Sequence, residues 1–451
     1  MFFQKTKIRP RFHLTGEKGW INDPNGLIKF NGVYHAFYQY HPYDIHWGPM
    51  HWGHAISEDL LHWKQLPIAL TPGDDSDKDG CFSGTALVHE DKLYVLYTGF
   101  IENQGGESVR QQQCLASSLD GIHFEKHGVV IGEKDLPEGY APCDFRDPKC
   151  WKMNQTFYCL IAARKITGKG RILLYKSFDL LHWTFVGDLF KQDSKGKMIE
   201  CPDYNKELGL LLYSEQNQPR EGNIHLNLHT TRWHQGMLDL EKGSFQTKIQ
   251  GIIDYGFDFY ASQFFMGENI MMGWLSMWDR DYPNKDYGFA GMLTVPRKVE
   301  WRNGQLYQTP LLKGNLVREE KNQSKIKDRL KSGFLRIKLK NMATFSLKLR
   351  KKGNHFFHFY LDNDTWYFDC KHCGQLILGK ENDELSKEGI RCMPYFKEEN
   401  TEIIVVSDEF SLEIFINGNA ASFQIYPKKH TDKLLMDYSA EECIYQNYKI
   451  E

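Results

Sequence analysis

The sequence predicts an all-β protein, a five-bladed β-propeller followed by a C-terminal β-sandwich. Three observations carry that expectation. Short apolar and aromatic runs recur five times at intervals of roughly fifty to sixty-five residues, a length that suits a four-stranded blade. They are "VYHAFYQY" (33–40), "LYVLYTGF" (93–100), "FYCLIAAR" (157–164), "GLLLYSEQ" (209–216) and "IMMGWLSM" (270–277). A second phrase repeats as "SEDLLHW", "SLDGIHF" and "SFDLLHW", placing Asp59, Asp120 and Asp179 at matching points; Asp favours turn initiation, so these acids read as structural. From Gly333 onward the pattern changes to closely spaced alternating runs such as "FLRIKLK", "TFSLKLR" and "SLEIFING", as a sandwich requires.

In chain order, residues 1–309 form the propeller and 333–451 the sandwich. The charged stretch "GNLVREEKNQSKIKDRLK" between them has helical composition, so 310–332 reads as a linker, solvated and helical. A third series precedes the five apolar runs. It comprises "NDPNGL" with Asp23, "CFSGTAL" with Ser83, "FRDPKCW" with Asp147, "IECPDY" with Glu200 and "DFYASQF" with Tyr260. In a propeller the first strand of each blade lines the central channel. Equivalent positions then converge, and Asp23, Asp147 and Glu200 meet at one mouth of that channel.

Bulk properties narrow the function classes. Lys and Arg number 56 against 58 Asp and Glu, a balance that calls for neither nucleic acid nor an anionic membrane. No apolar run reaches transmembrane length, and the start of the chain has no signal-peptide stretch, so a cytoplasmic protein, or a mature form whose signal is missing, is expected. Aromatic residues make up 14%, a surplus that fits both β-structure and sugar-binding surfaces. There is no G-x-S-x-G elbow, no P-loop and no H-E-x-x-H. The lone "CKHC" at Cys370–Cys373 is weak evidence for zinc, and no metal or cofactor is expected.

Two carboxyl groups in opposed protonation states suit glycosidic bond cleavage. Asp23 is flanked by Asn22 and Asn25, whose amides and turn N–H groups favour the carboxylate; Glu200 stands between Ile199 and Cys201, apolar surroundings that hold a proton. Arg146 next to Asp147 is expected to keep it ionised.

"WINDPNG", "FRDP" and "ECPD" resemble the three signature motifs of glycoside hydrolase family 32, the β-fructofuranosidases, and "GCFSGTAL", "DFYASQ" and "LTVPRKV" extend the likeness over nearly the whole chain. The stretch from Asp279 to Arg297 is most similar to the bacterial sucrose and sucrose 6-phosphate hydrolases of that family. The resemblance implies that Asp23 is the nucleophile of a retaining mechanism, Glu200 the general acid and then base, and that Asp147 with Arg146 grips fructose hydroxyls. It further implies that Asn22, Gln39, Trp47, Phe82 and Ser83 surround the fructose ring, and that Cys201 tunes Glu200. Tyr260 and Trp274 are added on register, Trp274 falling level with Gln39. The expected partner is a small sugar with a β-fructofuranoside end. Fructosyl transfer to a sugar acceptor and a non-catalytic carbohydrate-binding propeller remain as alternatives. The leaving group stays open: Arg110, Lys165, Lys169, Arg171, Arg220 and Arg280 lie in loops from which a phosphate contact is conceivable.

Overall fold

The computed structural model describes residues 8–450 apart from 191–193, 195, 225, 284–285, 303 and 428–430; two residues of the Asp279–Arg297 stretch therefore lie outside the described residues. Five sheets follow one another along the chain. The first is built from Gly19–Phe30, Val33–His41, His51–Ser57 and Lys64–Leu70. Four more meanders of four strands begin at Gly80, Tyr140, Met198 and Tyr260. The opening strand of each sheet touches the opening strand of the next, and that of the fifth touches that of the first. Phe289–Ala290, from the fifth-sheet region, pairs in parallel with Gly19 and Trp20 and ties the two ends of this ring together. Hydrophobic clusters fill the spaces between sheets, for example Leu87 and Leu96 with Phe145, Phe157 and Leu173.

The repeated phrase makes the same turn three times. Asp59, Asp120 and Asp179 each accept two backbone N–H bonds through Oδ1, and each holds a histidine three residues on at 2.7 Å through Oδ2. These are structural acids, as their spacing indicated.

Two six-stranded sheets make up the C-terminal part. Their inner faces share one core that includes Leu335, Ile337, Val405 and Phe423 from one sheet and Phe345, Phe357, Trp366 and Met436 from the other. The helical linker expected over 310–332 is not formed. Asn315–Lys321 pairs with Glu442–Lys449, and Lys325–Arg329 pairs with Lys433–Ser439, so the stretch supplies the edge strand of each sheet. The reason is physical: edge strands carry charge to block further pairing, and a strand solvated on both faces loses its apolar alternation. Ile326 and Leu330 are the buried apolar anchors of the charged stretch.

A buried ionic network joins the two halves. Arg297 reaches Asp254 at 3.0 Å and Glu413 at 2.6 Å; His13 lies 2.9 Å from Glu413 and 3.0 Å from Asp408. Burial alone would lower the His13 pKa, but hydrogen bonds and charge from Asp408 and Glu413 raise it to about 9. No helix among the described residues is long and apolar enough to cross a membrane.

Candidate active site

The opening strands of all five sheets carry a β-bulge at the same level. The register shifts lie between Ile21 and Pro24, Phe82 and Gly84, Arg146 and Lys149, Glu200 and Asp203, and Tyr260 and Gln263. A bulge sets two residues against one, bends the strand and re-aims its side chains. Asp147 (φ 62°), Cys201 (φ 49°) and Ala261 (φ 51°) take left-handed backbone within these bulges. Such conformations are uncommon outside glycine and concentrate at functional sites. Asp147 is held there by a 2.9 Å bond from its N–H to Thr98 Oγ1.

The bulges surround a cavity of about 270 Å³. That is slightly below the usual range of ligand pockets and suits one sugar ring better than a chain. Of the residues named from the sequence, Asn22, Asp23, Gln39, Trp47, Phe82, Ser83, Arg146 and Glu200 line it; Asp147, Cys201, Tyr260 and Trp274 are not among its lining residues. Trp47 stands at the rim, 45% exposed, with its ring edge-on to Phe82 at 5.9 Å.

The two oxygens of Asp23 differ. Oδ2 accepts from Ser83 Oγ at 2.6 Å and from the Cys201 thiol at 3.4 Å; Oδ1 is buried and has no hydrogen-bond partner among the described residues. Burial pushes the Asp23 pKa up, the Ser83 hydroxyl opposes this, and the Glu200 charge adds to it. The flanking amides therefore do not dominate, contrary to expectation, because Asp23 is buried among other acids. Glu200 is not in apolar surroundings either. Its Oε1 takes Arg146 Nη2 at 2.8 Å and Nε at 3.2 Å, and its Oε2 takes Gln216 Nε2 at 2.8 Å and the Tyr260 hydroxyl at 2.7 Å.

Asp147 departs from expectation in the same direction. Burial raises its pKa to about 7 against the opposing charge of Arg146, with Glu200 and Asp23 adding to the rise. The guanidinium is spent elsewhere: it lies 3.9 Å from Asp147 but 2.8 Å from Glu200 and 2.9 Å from Asp144. Burial, with the charges of Asp147, Asp23 and Glu200, pushes the Cys201 thiol well above its ordinary range, so it remains a donor. It donates to Asp23 and, at 3.6 Å, to Asp147, while its backbone N–H bonds Asp147 Oδ2 at 2.9 Å. Its reach is thus to these two acids rather than to Glu200.

Trp274 does not line the pocket. In the first sheet Gln39 sits opposite the bulge; in the fifth sheet that place is Gly273, and Trp274 pairs with Tyr260 one residue on. A one-residue offset moves a side chain to the other face. Trp274 is accordingly fully buried, behind Trp20 and Trp278 at ring distances of 5.6 and 4.8 Å, and Trp278 supplies the pocket wall. Gln111, Asp144 and Gln216 complete the lining and were not anticipated. Gln216 ends "GLLLYSEQ", one of the repeated runs, so strand-end register was the signal for it. Asp144, two residues before Arg146, offered only proximity.

A pocket the size of one sugar ring, lined by two carboxyl groups, is an arrangement that glycosidic bond cleavage can use. Residues 13–310 match the family described as "Glycosyl hydrolases family 32 N-terminal domain". The chain belongs to glycosyl hydrolase family 32. It is 36% identical to sucrose-6-phosphate hydrolase of Escherichia coli over 97% of this chain and 93% of that one. Raffinose invertase of Escherichia coli is 37% identical, with 94% and 91% covered. Among solved structures, sucrose-6-phosphate hydrolase from Lactobacillus gasseri superposes with TM-score 0.89 at 24% identity, covering 99% and 94% of the two chains. A Bombyx mori β-fructofuranosidase mutant in complex with sucrose superposes with TM-score 0.81 at 30% identity, with the same coverage.

Proposed function

We infer that this protein is a β-fructofuranosidase that releases fructose from sucrose or sucrose 6-phosphate. The five ring-linked sheets are the blades of one propeller, spanning residues 1–309, and 333–451 are its companion sandwich, whose edge strands begin within 310–332. The observation that carries the reading is that Asp23 and Glu200 line one pocket of sugar-ring size, with one Asp23 oxygen left open for attack. Asp23 has one oxygen held by Ser83 and Cys201 and the other without a partner, while both oxygens of Glu200 are held by donors.

Asp23 Oδ1 attacks the anomeric carbon of the fructosyl unit while Glu200, as general acid, gives a proton to the departing glucosyl oxygen. The C–O bond to the leaving group breaks as the Asp23–fructosyl ester forms. Glu200 then takes a proton from water, whose oxygen displaces Asp23 and releases fructose. Arg146 and Asp147 hold ring hydroxyls, and Asn22, Gln39, Trp47, Phe82 and Ser83 enclose the ring. Tyr260 positions Glu200 through its hydroxyl, and Trp274 supports the aromatic wall.

Asp23→Asn and Glu200→Gln are each expected to lower turnover of sucrose and sucrose 6-phosphate by several orders of magnitude with unchanged melting cooperativity. Mass spectrometry of Glu200→Gln quenched during turnover should show one fructosyl unit on Asp23. Near-wild-type fructose release by either variant, or a label elsewhere, overturns the assignment. Fructosyl transfer uses the same intermediate; the names of the relatives favour hydrolysis.

A further inference from the structure

The proton donor marks the side of the pocket on which the leaving group sits, so the glucose lies over Glu200 towards Gln216, Tyr260 and Trp278. Past that wall, the chain before and after Trp278 is held by the C-terminal half. The connection between strands Thr365–Asp369 and Ile390–Pro394 folds back onto the propeller side. Arg280 donates to Ile377 O and to Glu381, both at 2.7 Å, and Arg391 donates to the same Glu381 oxygen at 2.7 Å. The Lys380 N–H bonds Asp279 at 2.7 Å. Gly379 permits this approach, since a Cβ there would run into the Asp279 and Glu381 carboxylates.

This clamp sets Lys380 beside the residue that follows Trp278. The same wall carries a buried histidine. His229, 8% exposed, packs edge-on against Tyr260 and has a buried Nδ1 without a partner among the described residues. Burial lowers its pKa, the charges of Asp279, Glu200 and Glu381 oppose that, and the charge of Lys380 adds to it. Four other cations near this wall are committed. Arg146 and Arg164 share Asp144, and Arg280 and Arg391 share Glu381. The Lys380 side chain is exposed and has no ion pair among the described residues.

We propose that Lys380, presented by the C-terminal half, recognises the phosphate on the glucose of sucrose 6-phosphate and makes that the preferred substrate. The inference rests on the hydrolytic reading above. An ammonium serves phosphate as a point charge, and a charge-assisted bond to it is stronger than a neutral one. The sequence singled out Arg280 for such a role; the structure buries it under Glu381, where it anchors the segment that carries Lys380.

The test is kcat/KM on sucrose 6-phosphate and on sucrose for the full chain, Lys380→Gln, Lys380→Arg and Arg220→Gln. Wild type should prefer the phosphorylated sugar. Lys380→Gln should lose about ten- to a hundredfold on it, mainly through KM, with sucrose within about twofold. Lys380→Arg should retain most of the preference, and Arg220→Gln, which changes an exposed cation of the neighbouring loop, all of it. Equal loss on both substrates, no loss on either, no wild-type preference, or discrimination that disappears with Arg220 overturns the proposal. Absence of fructose release from both substrates by wild type would instead overturn the hydrolase reading.

Discussion

Asp147 carries a stability cost at the place proposed for fructose binding. Its carboxyl is buried among other acids and its pKa is raised from 3.8 to about 7. A folded state that binds the proton more tightly than the unfolded chain loses stability as pH rises between those values, and the full cost is present above the folded pKa. Asp147→Asn removes the charge while keeping shape. The variant should gain thermal stability over wild type, with the gain growing from about pH 4 to about pH 7 and flat beyond, as kcat collapses; a gain that shrinks with rising pH would contradict the assignment. Cys201→Ala removes the thiol bridge between Asp23 and Asp147. It is expected to lower kcat about tenfold on both sugars, since the fructosyl side is common to them, and parallel kinetics on the two substrates check this.

At the scale of the strand, the bulge is the device that matters. The same two-against-one step, repeated in five opening strands, turns alternating side chains into convergent ones. Ala261 sits in one such step with φ 51°, its N–H bonded to Ser214 Oγ. A β-branched side chain is poorly tolerated there. Ala261→Val should destabilise by about 2 kcal/mol, whereas Ala261→Gly should stay within about 1 kcal/mol, both measured by denaturant unfolding. Asp23, Asp147 and Glu200 were legible because each sits in a short motif at a recurrent place. Trp278 and Gln111 were not. Trp278 lies beyond the end of its strand, and which tryptophan faces the pocket depends on a one-residue offset that periodicity does not record. The charged stretch after Gly314 misled for a related reason: an edge strand has two wet faces, so its composition matches that of a solvated helix.

For the whole molecule, the seam between halves is ionic at its centre. His13, fully buried between Asp408 and Glu413, has a pKa near 9 against 6.5 when unfolded. Its folded pKa is the higher one, so its contribution is complete below about pH 6.5 and is lost as pH rises through 9, an amount of about 3 kcal/mol. His13→Gln should therefore cost stability at pH 6 and progressively less towards pH 9.5. A penalty independent of pH would mean that the imidazolium is not what holds the seam. Through the same half, Glu381 and Lys380 bond Arg280 and Asp279, the two residues that follow the pocket-lining Trp278.

By itself the sequence determined the all-β class, the recurrence of the sheets, the shared level of Asp23, Asp147 and Glu200, and the family. Those depend on local patterning and on residues whose chemistry is written in their immediate neighbours. Tertiary structure alone decided the charge settings of the acids, the tryptophan that walls the pocket, and the contact between Asp279 and Lys380. These turn on which groups burial brings together across about a hundred residues of chain, and on how a guanidinium divides itself among several carboxylates.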